Sequence, residues 1–291
     1  MKDLFYCPYT DKELNTRDSS IEHIIPLSLG GSNSFTISVS KEYNSKAGTD
    51  IDGMLANDFL VLIRRKKYDA RGHSKKPPKA ILKKSSINKE NGIHPVQIEF
   101  SGQEGLKIYD PINKKELSKK EITGKIFSSE FTLSRHGRLK FAAKAALSGG
   151  YFAFGEWFRN NVNHKELRAL MDLNSEVNDI DFSGFGLTAY DEFMPANEQD
   201  SDQLAMDKLF CEIVQGSCIC FVPGPANLGI IIGILGKHVA TLNVPANTND
   251  FPFTEANDLG HAIIIESGQA NRMSYREFAK IVYERLPTTT E

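Results

Sequence analysis

Residues 21–31 read Ile-Glu-His-Ile-Ile-Pro-Leu-Ser-Leu-Gly-Gly, and residues 43–46 read Tyr-Asn-Ser-Lys. Apolar residues around Ile21–Ile25 and Thr36–Val39 predict two short strands. Gly30-Gly31 predicts the turn that lets the second strand return beside the first. This stretch therefore predicts a hairpin, and the chain after it determines what packs against that hairpin.

A helix is predicted to follow the second strand. Its start lies at residues 43–46, and Thr49 with Asp52 three residues later forms a capping-box pattern. Strand, strand and helix together predict one compact unit over residues 1–68. The apolar residues that recur there at helical spacing are Ile51, Leu55, Phe59 and Leu62.

Glu22 and His23 are the residues of this hairpin that can carry chemistry. On a regular strand they leave opposite faces, so both reach one site only if the strand bends or its edge is exposed. Mg²⁺ takes oxygen ligands from Glu and Asn, and a neutral imidazole can accept a proton from water near neutral pH. The Gly-Gly turn allows Asn44 to lie beside Glu22. An isolated Glu-His pair is more often an ordinary surface feature, so the surrounding pattern decides.

That surrounding pattern resembles the motif of HNH (His-Me finger) endonucleases. In this family an acidic residue and His precede a hydrophobic-x-Pro step, a Gly-Gly turn and a second strand, and the helix then opens with Asn beside a basic residue. The resemblance covers about residues 5–50 and implies a ββα-metal fold that hydrolyses DNA phosphodiester bonds with Mg²⁺ or Mn²⁺. It implies a catalytic set of Glu22, His23 and Asn44. Glu22 and Asn44 would bind the metal, His23 would be the general base, and Lys46 would contact phosphate.

The sequence departs from the family pattern at two places. Many relatives carry a structural zinc on two Cys pairs, but here only Cys7 remains, with Thr10, Ser40 and Tyr43 at the other three positions. One Cys cannot hold a tetrahedral zinc, so we expect no structural zinc. The second departure is the middle Asn, which orients the catalytic His in some relatives. Phe35 stands at that position, whereas Asn33 lies two residues earlier and is the candidate to orient His23.

Charge is distributed unevenly along the chain. The net charge is −2, yet residues 171–291 carry 6 Lys/Arg against 18 Asp/Glu, which leaves +10 for residues 1–170. Residues 64–89 hold 11 basic residues and one acidic residue, Asp69. A solvated charge run is the simpler interpretation, whereas clustered cations beside a nuclease motif favour a DNA-binding surface. The predicted DNA contacts are Lys46, Arg64, Arg65, Lys66, Lys67, Arg71, Lys75 and Lys76.

Three segments are predicted after the nuclease unit. Gly72, Pro77 and Pro78 indicate a basic linker or arm over residues 69–95. Residues 96–173 are predicted to be a mixed strand and helical domain, and residues 174–291 an acidic α+β domain of recognition, regulatory or partner-binding type. The predicted fold class is thus α+β. Its predicted elements include a hairpin at Val96–Phe100 and Leu106–Tyr109, helices at Leu139–Leu147, from Asn163 and at Asp202–Val214, strands at Ile219–Val222, Gly229–Leu235, His238–Val244 and Ala262–Glu266, and a last helix opened by Ser274 and Glu277.

The predicted function is an HNH endonuclease that nicks or cuts double-stranded DNA, as a restriction-type or anti-phage defence effector. Two alternatives stay open: a non-catalytic DNA-binding module, and a nuclease subunit active only within a multi-protein system with other defence proteins. The longest apolar run, Leu228–Leu235, is far shorter than the about 20 residues that a membrane span needs. With no apolar signal core at the start of the chain, we expect a cytoplasmic protein without a membrane partner.

Overall fold

The computed structural model describes residues 3–89, 92–102, 105–131, 133–173, 182–191, 193, 201–255 and 258–286. Within these residues the chain forms a five-stranded sheet, a six-stranded sheet and two separate hairpins, all antiparallel. Helices pack against these strands. The predicted α+β class is confirmed.

The N-terminal segment consists of two hairpins followed by helices. Both strands predicted around residues 21–39 are confirmed, and their hairpin leads directly into helix. The elements are β1 (Leu4–Cys7) paired with β2 (Lys12–Asn15), β3 (Ser19–His23) paired with β4 (Thr36–Ser40), α1 (Lys41–Ala47), a π-helical segment (Gly48–Asp52), α2 (Gly53–Ala56) and α3 (Phe59–Lys67).

The capping box predicted at Thr49 and Asp52 is wrong. Helix α1 begins earlier, because the Ser40 hydroxyl accepts the Tyr43 N–H and caps the first turn. Thr49 and Asp52 therefore lie inside a continuous helix, in its π-helical segment. Such π-helical insertions are rare and often occur at functional sites.

The five-stranded sheet begins inside the segment predicted to be a linker. That prediction is wrong from Ala80 onward, because Ala80, Leu82 and Ile87 are buried on a strand that pairs with its neighbour across the expected boundary at residue 95. The elements are β5 (Ala80–Lys89), β6 (Gly92–Phe100), β7 (Leu106–Asp110), β8 (Lys115–Glu116), α4 (Lys119–Ile122) and β9 (Phe127–Ser129), with sheet order β8-β7-β6-β5-β9.

Three helices follow, and the first of them is the central element of the molecule. Helix α5 (Arg135–Phe154) is buried continuously from His136 to Gly150, and α6 (Glu156–Asn161) and α7 (His164–Met171) follow it. The close approach of α6 requires Gly150, since a Cβ there would lie 2.1 Å from the Phe158 ring. Helix α5 contacts both the N-terminal segment and the C-terminal sheet.

The six-stranded sheet forms the rest of the molecule. Alternate residues of its central strands enter two different cores: Ile219 and Phe221 face the core that contains α5, whereas Cys218 and Cys220 face the two C-terminal helices. The elements are β10 (Thr188–Asp191), α8 (Ser201–Val214), β11 (Ser217–Pro223), β12 (Asn227–Ile234), β13 (Lys237–Pro245), β14 (His261–Glu266), β15 (Gln269–Ser274) and α9 (Tyr275–Glu284), with sheet order β10-β13-β12-β11-β14-β15.

One hydrophobic core joins parts of the chain that are far apart in sequence. It includes Cys7 and Phe35 of the N-terminal segment, Leu139 of α5 and Phe221 of the sheet. The domain boundaries at residues 68 and 173 stay predictions, whereas residue 95 lies inside β6, and the parts of the chain on either side of these positions are packed together. None of the helices in the described residues is long and apolar enough to cross a membrane.

Candidate active site

The hairpin β3–β4 ends where the chain must turn sharply. Glu22 lies opposite Ile37 and His23 opposite Thr36, and beyond them the loop folds back on itself. Gly31 is required there, since a Cβ at this position would lie 1.7 Å from the carbonyl oxygen of Ile25. The tight turn keeps the end of β3 at the edge of a cavity.

The cavity has a volume of about 370 Å³ and brings the three predicted catalytic residues together. Glu22, His23 and Asn44 all contribute to its wall, as the bent end of β3 permits for the first two. The lining also includes residues from the π-helical segment, from α2 and from the loop after α3. The full set is Ile21, Glu22, His23, Pro26, Leu27, Ser28, Asn44, Gly48, Asp52, Gly53, Ala56, Gly72 and His73.

His23 is held by Asn33. Its Nε2 lies 3.0 Å from Asn33 Oδ1. Because an amide oxygen only accepts, Nε2 carries the hydrogen, and the other ring nitrogen, Nδ1, keeps its lone pair. The structure therefore places Asn33 against His23, through its side chain. The ring of His73 packs edge-on to His23, with a centroid distance of 5.5 Å.

Asn44 is oriented by two hydrogen bonds to β3. Its Nδ2 donates to Ser20 Oγ at 2.9 Å and to the Ile21 carbonyl oxygen at 3.3 Å. With the nitrogen used in this way, the amide oxygen is the atom available as a ligand. Lys46 does not line the cavity, and its ammonium lies 5.9 Å from the centre of the Tyr43 ring.

Glu22 and Asp52 share one buried ammonium group, that of Lys144 on α5. Lys144 is fully buried, its Nζ lies 2.8 Å from both carboxylate oxygens of Asp52, and it also contacts Glu22 Oε1. Burial raises the pKa of Asp52 to about 6, with Glu22 adding to the rise and Lys144 opposing it. Burial disfavours the ammonium form of Lys144, but the two carboxylates outweigh this and raise its pKa.

The donor set of the cavity fits a hard divalent cation. Carboxylate oxygens of Glu22 and Asp52 and the amide oxygen of Asn44 are the ligand types that Mg²⁺ prefers. In the part of the chain that the structure describes, no group of three or more His, Cys, Asp or Glu side chains is arranged to hold a metal ion. A cation here would therefore depend on a few oxygen ligands, completed by water and phosphate.

Cys7 and Tyr43, at two of the positions where relatives carry zinc-binding Cys, pack in or against the hydrophobic core. The Cys7 thiol is fully buried, and its sulfur accepts the Ser40 N–H at 3.2 Å. The Tyr43 ring lies 5.4 Å from the Tyr9 ring, and its hydroxyl donates to Asp172 Oδ1 at 3.0 Å. These contacts brace the start of α1. That no structural zinc is needed stays a prediction.

The predicted DNA-binding residues fall into two groups. Arg64 donates to the carbonyl oxygens of Leu235 and Gly236, and Arg65 donates to that of Ala56, so both guanidinium groups are engaged by the protein's own backbone. Arg71 forms an ion pair with Asp69.

The second group consists of lysines, most of them exposed to solvent. Lys67, Lys75 and Lys76 have exposed side chains, and Lys66 is half-buried. Lys75 and Lys76 follow His73 in the loop that closes one side of the cavity. The structure thus separates arginines engaged by the fold from lysines whose charges face outward.

Sequence reasoning missed two residues that line the cavity, Asp52 and His73, and one buried beneath it, Lys144. Asp52 was interpreted as a helix cap, and His73 was included in the linker. Lys144 carried a usable signal, because it is the one charged residue in the run Phe141–Leu147, whose other members are apolar. A charge at a position that must be buried needs a partner of opposite charge, although the sequence does not identify that partner.

Residues 7–60 match the family model described as HNH endonuclease. The resemblance of this segment to HNH endonucleases is confirmed, and it covers the hairpin β3–β4, helix α1, the π-helical segment and α2. This match indicates a nuclease domain that acts on DNA. HNH nucleases generally use divalent metal ions. Comparisons with curated proteins and with solved structures gave no significant match.

Proposed function

We propose that this chain is a divalent-metal-dependent endonuclease that nicks or cuts double-stranded DNA, with its active site in the cavity of Glu22, His23 and Asn44. The observation that carries the proposal is the convergence of these three side chains on one cavity inside the segment that matches HNH endonucleases. Phosphodiester hydrolysis needs a base for water and positive charge beside the phosphate, and this cavity has residues suited to both.

His23 is the proposed general base. The contact with Asn33 Oδ1 fixes the ring orientation and leaves Nδ1 with a lone pair that can accept a proton from water. Asn33 is thus proposed as a positioning residue that fixes the tautomer. His23 is half-buried, so water and a DNA backbone can reach it without a change in the fold.

Glu22 and Asn44 are the proposed ligands of the cation, which we propose to be Mg²⁺ or Mn²⁺. When bound, such an ion supplies Lewis-acid stabilisation of the charge that develops on the phosphate and the leaving 3′ oxygen. The chain prepares for it by orienting the Asn44 amide through Ser20 and Ile21. Glu22 is held in place by Lys144.

The exposed lysines are the proposed contacts to the DNA backbone. Lys75 and Lys76 belong to the loop that borders the cavity, and Lys66 and Lys67 end the preceding helix. Phosphate contacts position the duplex and carry little sequence information. DNA contacts by Lys46, Arg64, Arg65 and Arg71 stay predictions, and for Arg64 and Arg65 they would compete with the backbone hydrogen bonds described above.

We extend the proposal to a restriction-type or anti-phage defence effector that acts in the cytoplasm, alone or with other defence proteins. Such effectors join a nuclease domain to a recognition or control region. Residues 96–291 would supply that region, and the acidic six-stranded sheet with its helices is its main part.

Plasmid cleavage by the purified full-length chain tests the proposal. We expect nicking or linearisation of supercoiled DNA with Mg²⁺ or Mn²⁺ and none with EDTA. Glu22→Gln and Asn44→Ala should each lose activity, because each removes a ligand from a site with few of them. Asn88→Ala, on the exposed face of β5, is the matched control. DNA binding without cleavage under all metal conditions would instead favour the non-catalytic module.

A further inference from the structure

Lys144 occupies the centre of a buried charge cluster at the floor of the cavity. Its Nζ touches carboxylate oxygens from Glu22 of β3 and Asp52 of the π-helical segment, and its side chain has no solvent exposure. Asp52 and Glu22 both line the cavity, while Lys144 itself does not. The ammonium therefore contacts the wall of the cavity through these two carboxylates.

Lys144 comes from outside the segment that matches HNH endonucleases. It belongs to α5, which packs against α2 and the π-helical segment. The same helix makes a second buried ion pair six residues earlier, where Arg138 Nη2 lies 2.9 Å from Asp58 Oδ1. Six residues correspond to about 9 Å along a helix axis, and neither Arg138 nor Asp58 lines the cavity. The two ion pairs are therefore alike in burial and different in relation to the site.

We propose that Lys144 is a positioning residue of the nuclease site, which holds Glu22 and Asp52 side by side and sets the charge that they present to the divalent cation. This inference rests on the proposed function, in which Glu22 is a metal ligand. It adds Asp52 as a second carboxylate facing the cation, and it assigns to helix α5 a role in the chemistry.

Elementary electrostatics explains why the lysine matters. With both carboxylates ionised, Glu22, Asp52 and Lys144 together carry a charge of −1, and without Lys144 the pair would carry −2. Two carboxylates this close repel each other, so Lys144 fixes their geometry. The same ammonium repels an incoming cation, so it also lowers the affinity for metal. Lys144 thus fixes the arrangement of the two carboxylates and lowers the affinity of the site for the metal ion.

The test compares two variants of one helix in the full-length protein, Lys144→Met and Arg138→Met. Both break a buried ion pair, and both should lower the unfolding temperature. Only Lys144→Met should change metal binding, and calorimetric titration with Mn²⁺ and Mg²⁺ should show affinity about tenfold or more above that of the wild type. Its cleavage rate should nevertheless fall, since Glu22 and Asp52 lose their fixed arrangement.

A third variant distinguishes a change in charge from a loss of the fold. Asp52→Asn keeps the shape of the side chain and removes one negative charge, so it should bind Mn²⁺ about tenfold or more weakly, opposite in sign to Lys144→Met. Circular dichroism and unfolding curves establish that each variant is folded before titration.

The outcomes separate this inference from the proposed function. Metal affinity that is unchanged in Lys144→Met and Asp52→Asn, in a wild type that binds metal and cleaves DNA, overturns the inference and leaves the nuclease intact. Metal binding by Lys144→Met when the wild type binds no metal and cleaves no DNA supports the charge effect and contradicts the proposed function. Absence of metal binding in every form, in a wild type that cleaves no DNA, overturns both.

Discussion

The nuclease segment and the six-stranded sheet both pack on helix α5, but through different chemistry. Toward the sheet, α5 packs mainly through small and apolar residues, such as Gly149 against Ile219 and Phe221, and makes one ion pair at its first residue, between Arg135 and Asp191 of β10. Toward the nuclease segment it buries two cations, Arg138 and Lys144, each paired with carboxylates. The sheet interface is mainly apolar with one partly exposed ion pair, whereas the ion pairs toward the nuclease segment are almost completely buried.

This difference determines what each interface specifies. Apolar burial stabilises in proportion to area and tolerates small shifts. A buried ion pair that loses one partner costs about 3–5 kcal/mol, so it strongly disfavours any other alignment of α5. The sheet therefore contributes stability, while the ion pairs fix the position of α5 relative to Glu22 and Asp52. Mutations confined to one of the two regions test this difference.

The largest effect is expected from His23→Ala, which removes chemistry from the nuclease segment without touching the fold. Loss of a general base lowers rates by about 10²–10⁴-fold, and His23 is half-buried, so stability should be nearly unchanged. Plasmid nicking rates with Mg²⁺ and unfolding curves measure the two quantities. His94→Ala, on β6 away from the cavity, is the control. Near wild-type cutting by His23→Ala would remove His23 from the mechanism.

Arg64→Ala should instead act on stability, because Arg64 joins the nuclease side to the sheet. Its guanidinium donates to the Leu235 and Gly236 carbonyl oxygens at the turn between β12 and β13. Hydrogen bonds of a charged donor contribute about 1.5–3 kcal/mol, so we expect a loss of about 2–3 kcal/mol in urea unfolding. The exposed neighbour Lys67 is the control, and Lys67→Ala should change stability by less than about 0.5 kcal/mol. Equal effects would show that Arg64 is not a structural link.

Acid should weaken the sheet region through His238. Burial lowers the pKa of His238 to about 3, and its Nε2 lies 2.9 Å from Thr241 Oγ1. Below about pH 6.5 His238 binds a proton in the unfolded chain but stays neutral in the folded state. The free energy of unfolding therefore falls as the pH falls. Between pH 7 and pH 5 this single group should lower the free energy of unfolding by about 2 kcal/mol.

The measurement is urea unfolding of the wild type and of His238→Gln at both pH values. Glutamine can keep a hydrogen bond to Thr241 but cannot take up the proton, so the variant should lose less stability on acidification. An identical pH dependence in the two proteins would contradict the assignment to His238.

The smallest effect is expected from the exposed lysines beside the cavity. Lys75→Gln with Lys76→Gln should weaken DNA binding a few-fold and reduce the slope of log affinity against log salt by about 1–2, because each phosphate contact releases counterions. Cleavage at saturating DNA should be unchanged. Lys280→Gln, exposed on α9, is the control. If the slope does not change, this loop does not contact DNA.

Local sequence patterns were enough to predict the hairpin β3–β4, the helix after it and the family resemblance. These follow from local patterns: alternation for strands, a Gly-Gly turn, and residue types at fixed spacing. The same local rule identified the strands around Ile219, Ile231 and Ile263, since a buried strand needs apolar residues whatever its neighbours are. The juxtaposition of Glu22, His23 and Asn44 was also predictable, because all three lie within one short supersecondary unit.

The distant groups that complete the site could not be predicted, because tertiary packing brings them together. Lys144 lies more than a hundred residues from Glu22, and no pattern along the chain indicates which carboxylates would receive its charge. Asp52 matched a capping box in sequence, but the earlier cap at Ser40 placed it inside the helix, facing Glu22 and Lys144. The position of His73 was likewise not predictable, because the place of a loop residue depends on the residues that it packs against. Local propensity identifies elements, whereas the cost of burying charge selects the partners that meet across them.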